Sequence, residues 1–452
     1  MSTATILGVV RDATGAVVPG ASLTATNLET GFTRTAASAS DGSFRFAALP
    51  VGRYEVRGEH AGFQTQAQTG LRISVGEEAV LNFTLQVGAV AERVEVTAEA
   101  PIVNTTSGTL SSLVSEERVS DLPLNGRNFD VLTFSQAGIT AARNIERQGT
   151  LDGTQFSAGG APIRSNTFML DGTIMNNITN SGAASANENT LGVESIREYR
   201  VLMNSYTAEY GMSMGAQVSL VTKSGTNELH GSLFEYLRNS ALDARNWTDI
   251  PDKSSLRRNS FGGSLGGPIV RERLFFFASY EGLRQRRGST LAGVVPTKEA
   301  RQDGVLVPRI ADVVRPYLDL YPVPNGPDLG QGLGRYFAPV KRTQSEEYAS
   351  ARIDYHLSDS DTLFGRWTIN DPRAVDPGYS PTILPPMRVE VGGRNQWITV
   401  SENHIFSPTL LNTARASFIR TANSSPQFGA NPPGLNFVEG QPMGGLGIIG
   451  MS

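Results

Sequence analysis

Few residues in this 452-residue chain stand at spacings that could do covalent chemistry. Gly211-Met212-Ser213-Met214-Gly215 has the Gly-x-Ser-x-Gly spacing of a nucleophile elbow, which needs a helix directly after the serine. AQVSLVTK follows instead, a β-branched alternation that reads as a strand. Gly445-Leu446-Gly447-Ile448-Ile449-Gly450 has the spacing of a dinucleotide loop, with no helix to receive a pyrophosphate and no acid about 20 positions on. His60, His230, His356 and His404 stand singly on expected strands, without metal-ligand spacing. The pairs Glu77-Glu78, Glu116-Glu117 and Glu346-Glu347 fall on turns or segment edges, whereas glycoside chemistry needs two carboxylates that converge across a cleft. The absence of cysteine removes disulfides, thiolate metal sites and cysteine nucleophiles together. The expectation is a chain that is not an enzyme, with no catalytic residue, no cofactor and no metal.

Non-covalent chemistry is better represented. Residues 91–104 read as an extended, charged tether ending near Pro101. Within it Val94, Val96 and Ala98 share one face of a strand, and Glu95 and Thr97 the other. A strand of this kind can be offered to a partner's sheet edge, where main-chain hydrogen bonds supply affinity and alternate side chains supply choice.

The elements around that segment are short and turn-rich. Hydrophobic residues make up 39% and charged ones 18%, with 48 Gly and 24 Pro, which favours strands and turns over long helices. A net charge of −4 leaves no basic footprint for nucleic acid. No apolar run reaches the 18 or so residues of a spanning helix, but a spanning strand needs only about 9–11. The start MSTATILGVVRDATG lacks a basic segment and is cut by Arg11 and Asp12, so it is not an export signal.

Residues 1–90 hold seven expected strands: Thr5–Val10, Ala21–Asn27, Thr33–Ala37, Ser43–Phe46, Arg53–His60, Gln64–Ile73 and Ala79–Leu85. Turn clusters such as Asp41-Gly42 and Pro50-Val51-Gly52 divide them, the pattern of a β-sandwich. GVVRDATGAVVPGASLTATNLETG and DGSFRFAALPVGRYEVRGEHAGF resemble the carboxypeptidase regulatory-like domain over Ile6 to Val87. The resemblance implies a transthyretin-like sandwich of the carbohydrate-binding-like class without catalytic zinc, either a spacer or a ligand-binding module.

Residues 105–226 carry DLPLNGRNFDVLTFSQAG and the strand-to-turn FMLDGT, and lead to VTKSGTNELHGSLFEYLRN. Leu122–Phe129 and that last run resemble Oar-like TonB-dependent receptors. The resemblance implies a mixed α/β plug lodged inside a transmembrane β-barrel. It also makes Val94, Glu95, Val96, Thr97 and Ala98 similar to a TonB box, whose partner is a TonB-type energy transducer in the periplasm.

Residues 227–452 support a barrel independently. Ala349, Ala351, Ile353, Tyr355 and Leu357 alternate with Ser350, Arg352, Asp354 and His356. Leu363, Gly365, Trp367 and Ile369 alternate with Thr362, Arg366, Thr368 and Asn370, Phe364 excepted. One apolar and one polar face fits lipid outside and a wet lumen, and equally a soluble sandwich. The connections discriminate. Among Glu228–Arg238, Arg258–Pro268, Arg273–Arg286, Glu347–Leu357, Thr362–Asn370, Asn395–Phe406 and Thr409–Thr421, short turns alternate strictly with long loops, as in outer-membrane barrels. Gly288 to Ser345 reads as the longest loop. Phe275, Phe276, Phe277, Tyr280, Trp367 and Trp397 divide between interface girdle and core. Seven strands are odd and few for such a barrel, so an incomplete antiparallel barrel and a partial sequence are expected, with an export signal upstream.

The expected function is energy-coupled uptake through the outer membrane, in contact with its lipid, of an extracellular ligand such as a siderophore, oligosaccharide or peptide. The sandwich tilts this toward carbohydrate by analogy. The alternatives are an outer-membrane surface-binding or adhesion protein and a soluble multi-domain β-protein.

Overall fold

A computed structural model describes residues 3–88, 93–97, 110–121, 131–142, 155–177, 192–204, 210–211, 213–245, 253–377, 383–384, 388–407, 410–428, 435 and 446–447. Strands β1 (Thr3–Asp12), β2 (Ser22–Asn27), β3 (Thr33–Ala37), β4 (Ser43–Pro50), β5 (Gly52–Glu59), β6 (Thr65–Ile73), β7 (Glu78–Val80), β8 (Phe83–Leu85) and β9 (Arg93–Thr97) form two sheets. One runs β4-β1-β7, with β8 also on β1; the other runs β3-β2-β5-β6-β9. Alternation along these strands sends Ile6, Leu23, Phe46, Tyr54, Leu71 and Phe83 into a shared core. The expected strand Ala79–Leu85 is two strands, because β1 changes partner there. Leu81 N donates to Leu7 O at 2.7 Å, and Val9 N donates to the Asn82 side chain at 3.0 Å. Gly8 permits the crossing: a Cβ on it would lie 1.8 Å from Leu81 O.

Next come β10 (Leu110–Val114), α1 (Glu116–Asp121), α2 (Val131–Phe134), β11 (Ile139–Ala141), β12 (Phe156–Ala158), β13 (Thr167–Leu170), β14 (Thr173–Ile174), β15 (Ile196–Asn204) and β16 (Gln217–Thr222). Five of these make a sheet of order β10-β15-β16-β13-β14, in which only β13 and β16 pair in parallel. Every residue of β16 is buried, as a strand covered on both faces requires. The Leu122–Phe129 signature and residues 178–190 of the expected polar loop lie outside the described residues.

The third part contains β17 (His230–Asn239), β18 (Leu256–Val270), β19 (Leu274–Pro296), α3 (Arg315–Asp319), β20 (Asp328–Gly330), β21 (Leu333–His356), β22 (Asp361–Pro377), β23 (Ile383–Leu384), β24 (Arg388–Ser407), β25 (Leu410–Ser424), β26 (Gln427–Phe428) and β27 (Leu446–Gly447). The main sheet is antiparallel throughout, β17-β18-β19-β21-β22-β24-β25. Tight connections after β18, β21 and β24 lie at one end, and the long ones at the other. All seven expected strands are present, several longer at the long-loop end.

That lengthening corrects one reading. Gly288 to Ser345 is not a free loop: β19 and β21 stay paired from Gly288↔Lys341 to Pro296↔Leu333. Val294, Val295 and Tyr321 pack into a small cluster above the wall. The β-branched run had a partner that only the fold supplies.

The two faces of the sheet follow the alternation. Arg366, Thr368 and Asn370 are buried on the inner face, while Trp367 and Ile353 are 41% and 50% exposed on the outer. The aromatics divide by parity: Phe275, Phe277 and Trp397 are buried inward, whereas Tyr280 and Trp367 lie outward.

Candidate functional site

The inner face of the wall meets the five-stranded sheet through a buried ionic cluster. Strand β13 ends in Asp171-Gly172, with φ of +47° and +79°, the mirror-image geometry of a two-residue hairpin into β14. Asp tolerates the left-handed region better than most side chains. The turn drives the Asp171 carboxylate into the wall, where it is fully buried. Thr222, at the end of β16, holds it with its backbone N–H at 3.0 Å and its hydroxyl at 2.8 Å.

Two cations meet it from the wall. Arg352 on β21 and Arg366 on β22 stand directly opposite each other, and both lie on the inner face. Like charges directly opposite across a ladder destabilise it. Asp171 stands between them, 3.3 Å from Arg352 Nη1 and 3.1 Å from Arg366 Nη1. The second approach is charge attraction rather than an aligned hydrogen bond, since that nitrogen has no hydrogen-bond partner. Arg352 also reaches the Thr222 hydroxyl at 3.0 Å and pairs with Asp354, and Arg366 donates to Thr399 at 2.9 Å. Burial pushes the Asp171 carboxyl up, but the two guanidinium groups and the Thr222 donors together hold it below the ordinary carboxylate range.

Hydroxyl contacts surround the cluster. Thr173 touches the hydroxyls of Thr399 and Ser417 at 2.9 and 2.7 Å. Ser195 meets the Tyr348 hydroxyl at 2.9 Å, and Ser232 donates to Glu194 at 2.6 Å. These bonds are short and local, and can be exchanged for water one at a time.

At the short-turn end, the sandwich sits against both other parts. Glu29 takes Arg197 of β15 at 2.7 Å. Val75 N–H donates to the buried Glu198 carboxylate, and Arg72 pairs with Glu117 of α1. Phe32 lies on the ring of His356, 4.9 Å between centroids.

Strand β9 contains four of the five residues singled out for strand addition. Arg93–Thr97 pairs in parallel with β6, Gln66 opposite Val94, Ala67 opposite Glu95 and Gln68 opposite Val96. The segment has strand conformation at the edge of the sandwich's five-stranded sheet; Ala98 lies outside the described residues.

The other candidate chemistry resolves into structure. Ser213 donates to Ser165 O, and β16 rather than a helix follows it. Glu78 pairs with Arg45, Glu116 with Lys223 and Glu347 with Arg284. Asp361, Glu402 and His404 come within 4.8 Å of one another through the β22–β24 register, which their spacing in sequence did not reveal. The Asp171 cluster was also missed, because its three members come from distant stretches; the only signals were Asp-Gly as a turn and arginines on the polar face.

A model of the outer membrane beta barrel domain matches residues 221–451, just over half of the chain, and a carboxypeptidase regulatory-like domain matches residues 5–86. The TonB-dependent transporter Oar of Myxococcus xanthus is 28% identical over 287 residues, 61% of this chain and 26% of that protein. The chain thus spans about a quarter of the length of this curated relative. The outer membrane transporter YddB from Escherichia coli aligns with 68% of this chain and 39% of its own, at 14% identity and a TM-score of 0.46. The alcaligin outer membrane receptor FauA from Bordetella pertussis aligns with 73% of this chain and 49% of its own, at 13% identity and a TM-score of 0.39.

Proposed function

Since the chain belongs to the outer membrane β-barrel domain family, whose place is the outer membrane, we propose that it works as a TonB-dependent transporter whose inner sheet plugs the barrel until pulled. The observation that carries this reading is the Asp171–Arg352–Arg366 cluster. It fastens residues 105–226 to the wall through a buried carboxylate and a set of hydroxyls, beside a small apolar contact in which Tyr348 and Trp397 of the wall join the inner sheet's core, a mixed interface that suits a body that must leave and return. Residues 1–90 form the sandwich, residues 91–104 the tether, and residues 227–452 the wall. Val94, Glu95, Val96, Thr97 and Ala98 are the residues a periplasmic transducer would take as an added strand.

The ligand enters from the long-loop side, and siderophore, oligosaccharide and peptide classes all fit. Deleting residues 92–98 from the full-length protein tests the reading. Energy-dependent uptake of radiolabelled ferric siderophore, oligosaccharide or peptide should fall to background while binding of the same solute to whole cells persists. Uptake unchanged by the deletion would favour a surface-binding or adhesion role instead.

A further inference from the structure

The inner wall answers a cross-strand arginine pair with an acid; the outer wall has such a pair and no acid. Arg257 on β18 and Arg286 on β19 stand directly opposite each other. Their parity is that of Phe261 and Tyr280, the outward face, opposite to that of the inward Phe277. Neither has an acidic partner among the described residues. They line a groove of about 720 Å³ with Arg284 and Arg373, and with Asn239 and Asn259 as neutral polar neighbours. No carboxylate lines it. The nearest outward acids are Glu235 on β17 and two that hold the groove's other arginines: Glu347 holds Arg284, and Asp371 holds Arg373 and Arg394.

Height decides what this groove faces. From Leu274, at the tight-turn end, to Arg284 is ten steps of β19. At about 3.3 Å per residue and a tilt of about 40°, that is a rise of about 25 Å, the height of a barrel's apolar band. Below Arg284 the outward residues of β19 are Phe276, Ala278, Tyr280 and Gly282, and the Gly282 row carries Glu235, Glu347 and Asp371 on the neighbouring strands. The polar zone therefore begins with that acidic row, and the arginines stand just above it on the long-loop side, at the level of the headgroups. Like-charged arginines opposite each other at that level are favoured by an anion between them, and guanidinium pairs suit the bidentate geometry of phosphate.

We propose that this groove seats the phosphate of an anionic lipid headgroup in the outer leaflet. The occupant is a lipid rather than a free anion, because the groove opens on the face that continues the apolar band. A mobile anion would gain nothing from Leu237 and Val375, which lie beside the arginines. A headgroup joined to acyl chains fills both parts.

The test uses the full chain in neutral detergent, titrated with a bisphosphorylated glycolipid and read by native mass spectrometry. Its phosphate-free counterpart and inorganic phosphate are the comparison arms. The expected result is retention of the phosphorylated lipid, with at least tenfold weaker retention of the phosphate-free one and no displacement by millimolar inorganic phosphate. The double variant Arg257→Gln/Arg286→Gln should lose at least tenfold, whereas Arg309→Gln, on an exposed pair with Asp312, should not change. Equal retention of the two lipids overturns the proposal, and displacement by inorganic phosphate makes the groove a free-anion site. The comparison of lipids on the unaltered protein decides the matter even where the double variant fails to fold.

Discussion

Arg352 and Arg366 face each other across adjacent strands with one carboxylate between them, and that carboxylate belongs to a different part of the fold. The wall's inner face is thus completed electrostatically only when the Asp171 hairpin is seated. Removing that hairpin leaves Arg352 with Asp354 alone and Arg366 without an acid, so that water and counter-ions must satisfy it. The same feature adds a polar contact beside the apolar one that Tyr348 and Trp397 make with the inner sheet.

Asp171→Asn should loosen the seating more than any hydroxyl change around it. Breaking a buried pair by removing one partner costs about 3–5 kcal/mol, because the charge left behind is uncompensated. Hydrogen exchange at β13 and β16 should quicken while exchange in the long strands β19 and β21 stays slow. Exchange unchanged at β13 would remove the cluster from the account.

The acid response of the seated state follows from the same carboxylate. Its folded-state pKa lies below the ordinary value, so it contributes stability that is fully present above the unfolded value of about 3.9. That contribution fades as pH falls through the lower folded value. Protection at β13, with the intrinsic pH dependence of amide exchange divided out, should therefore be flat between pH 5 and pH 8 and fall only below about pH 4.

Glu198 predicts the opposite sign. Burial raises its pKa, only partly offset by the Val75 N–H and the nearby arginines. A raised carboxylate stabilises the fold at low pH and costs stability as pH climbs through the window above the unfolded value of about 4.3. Glu198→Gln retains an acceptor for Val75 and should leave thermal stability at pH 7 equal or higher, measured by calorimetry in detergent. A large loss there would mean that the charge itself binds sandwich to plug.

Gly8→Ala tests the strand switch in the sandwich. A Cβ 1.8 Å from Leu81 O forces β1 off its neighbours, at a cost of about 1–3 kcal/mol, as for other overpacked sites. The sandwich should unfold at lower denaturant concentration while the barrel's resistance is unchanged.

How far the sequence speaks depends on the range of the signal. Ala349 to Leu357 announced both faces of β21, because a period of two is local and each residue votes. Trp367 and Trp397 did not announce that one faces out and the other in, since parity on β24 is set by pairing with β22. The stretch 288–345 looked like loop because Gly and Pro dominate its middle; its strand ends are visible only once Gly288 finds Lys341. Asp171 read as turn chemistry, and correctly so, but its charge acquired meaning only from arginines that β21 and β22 bring to it.

The most direct measurement of plug movement uses the absence of cysteine in the chain. Thr173 and Ser417 lie with their hydroxyls 2.7 Å apart, one on the plug hairpin and one on the wall. In full-length protein carrying Thr173→Cys and Ser417→Cys, oxidation should abolish energy-dependent uptake and reduction should restore it, with ligand binding unchanged in both states. Full uptake with the disulfide closed would show that the plug need not leave that wall, and would contradict the account.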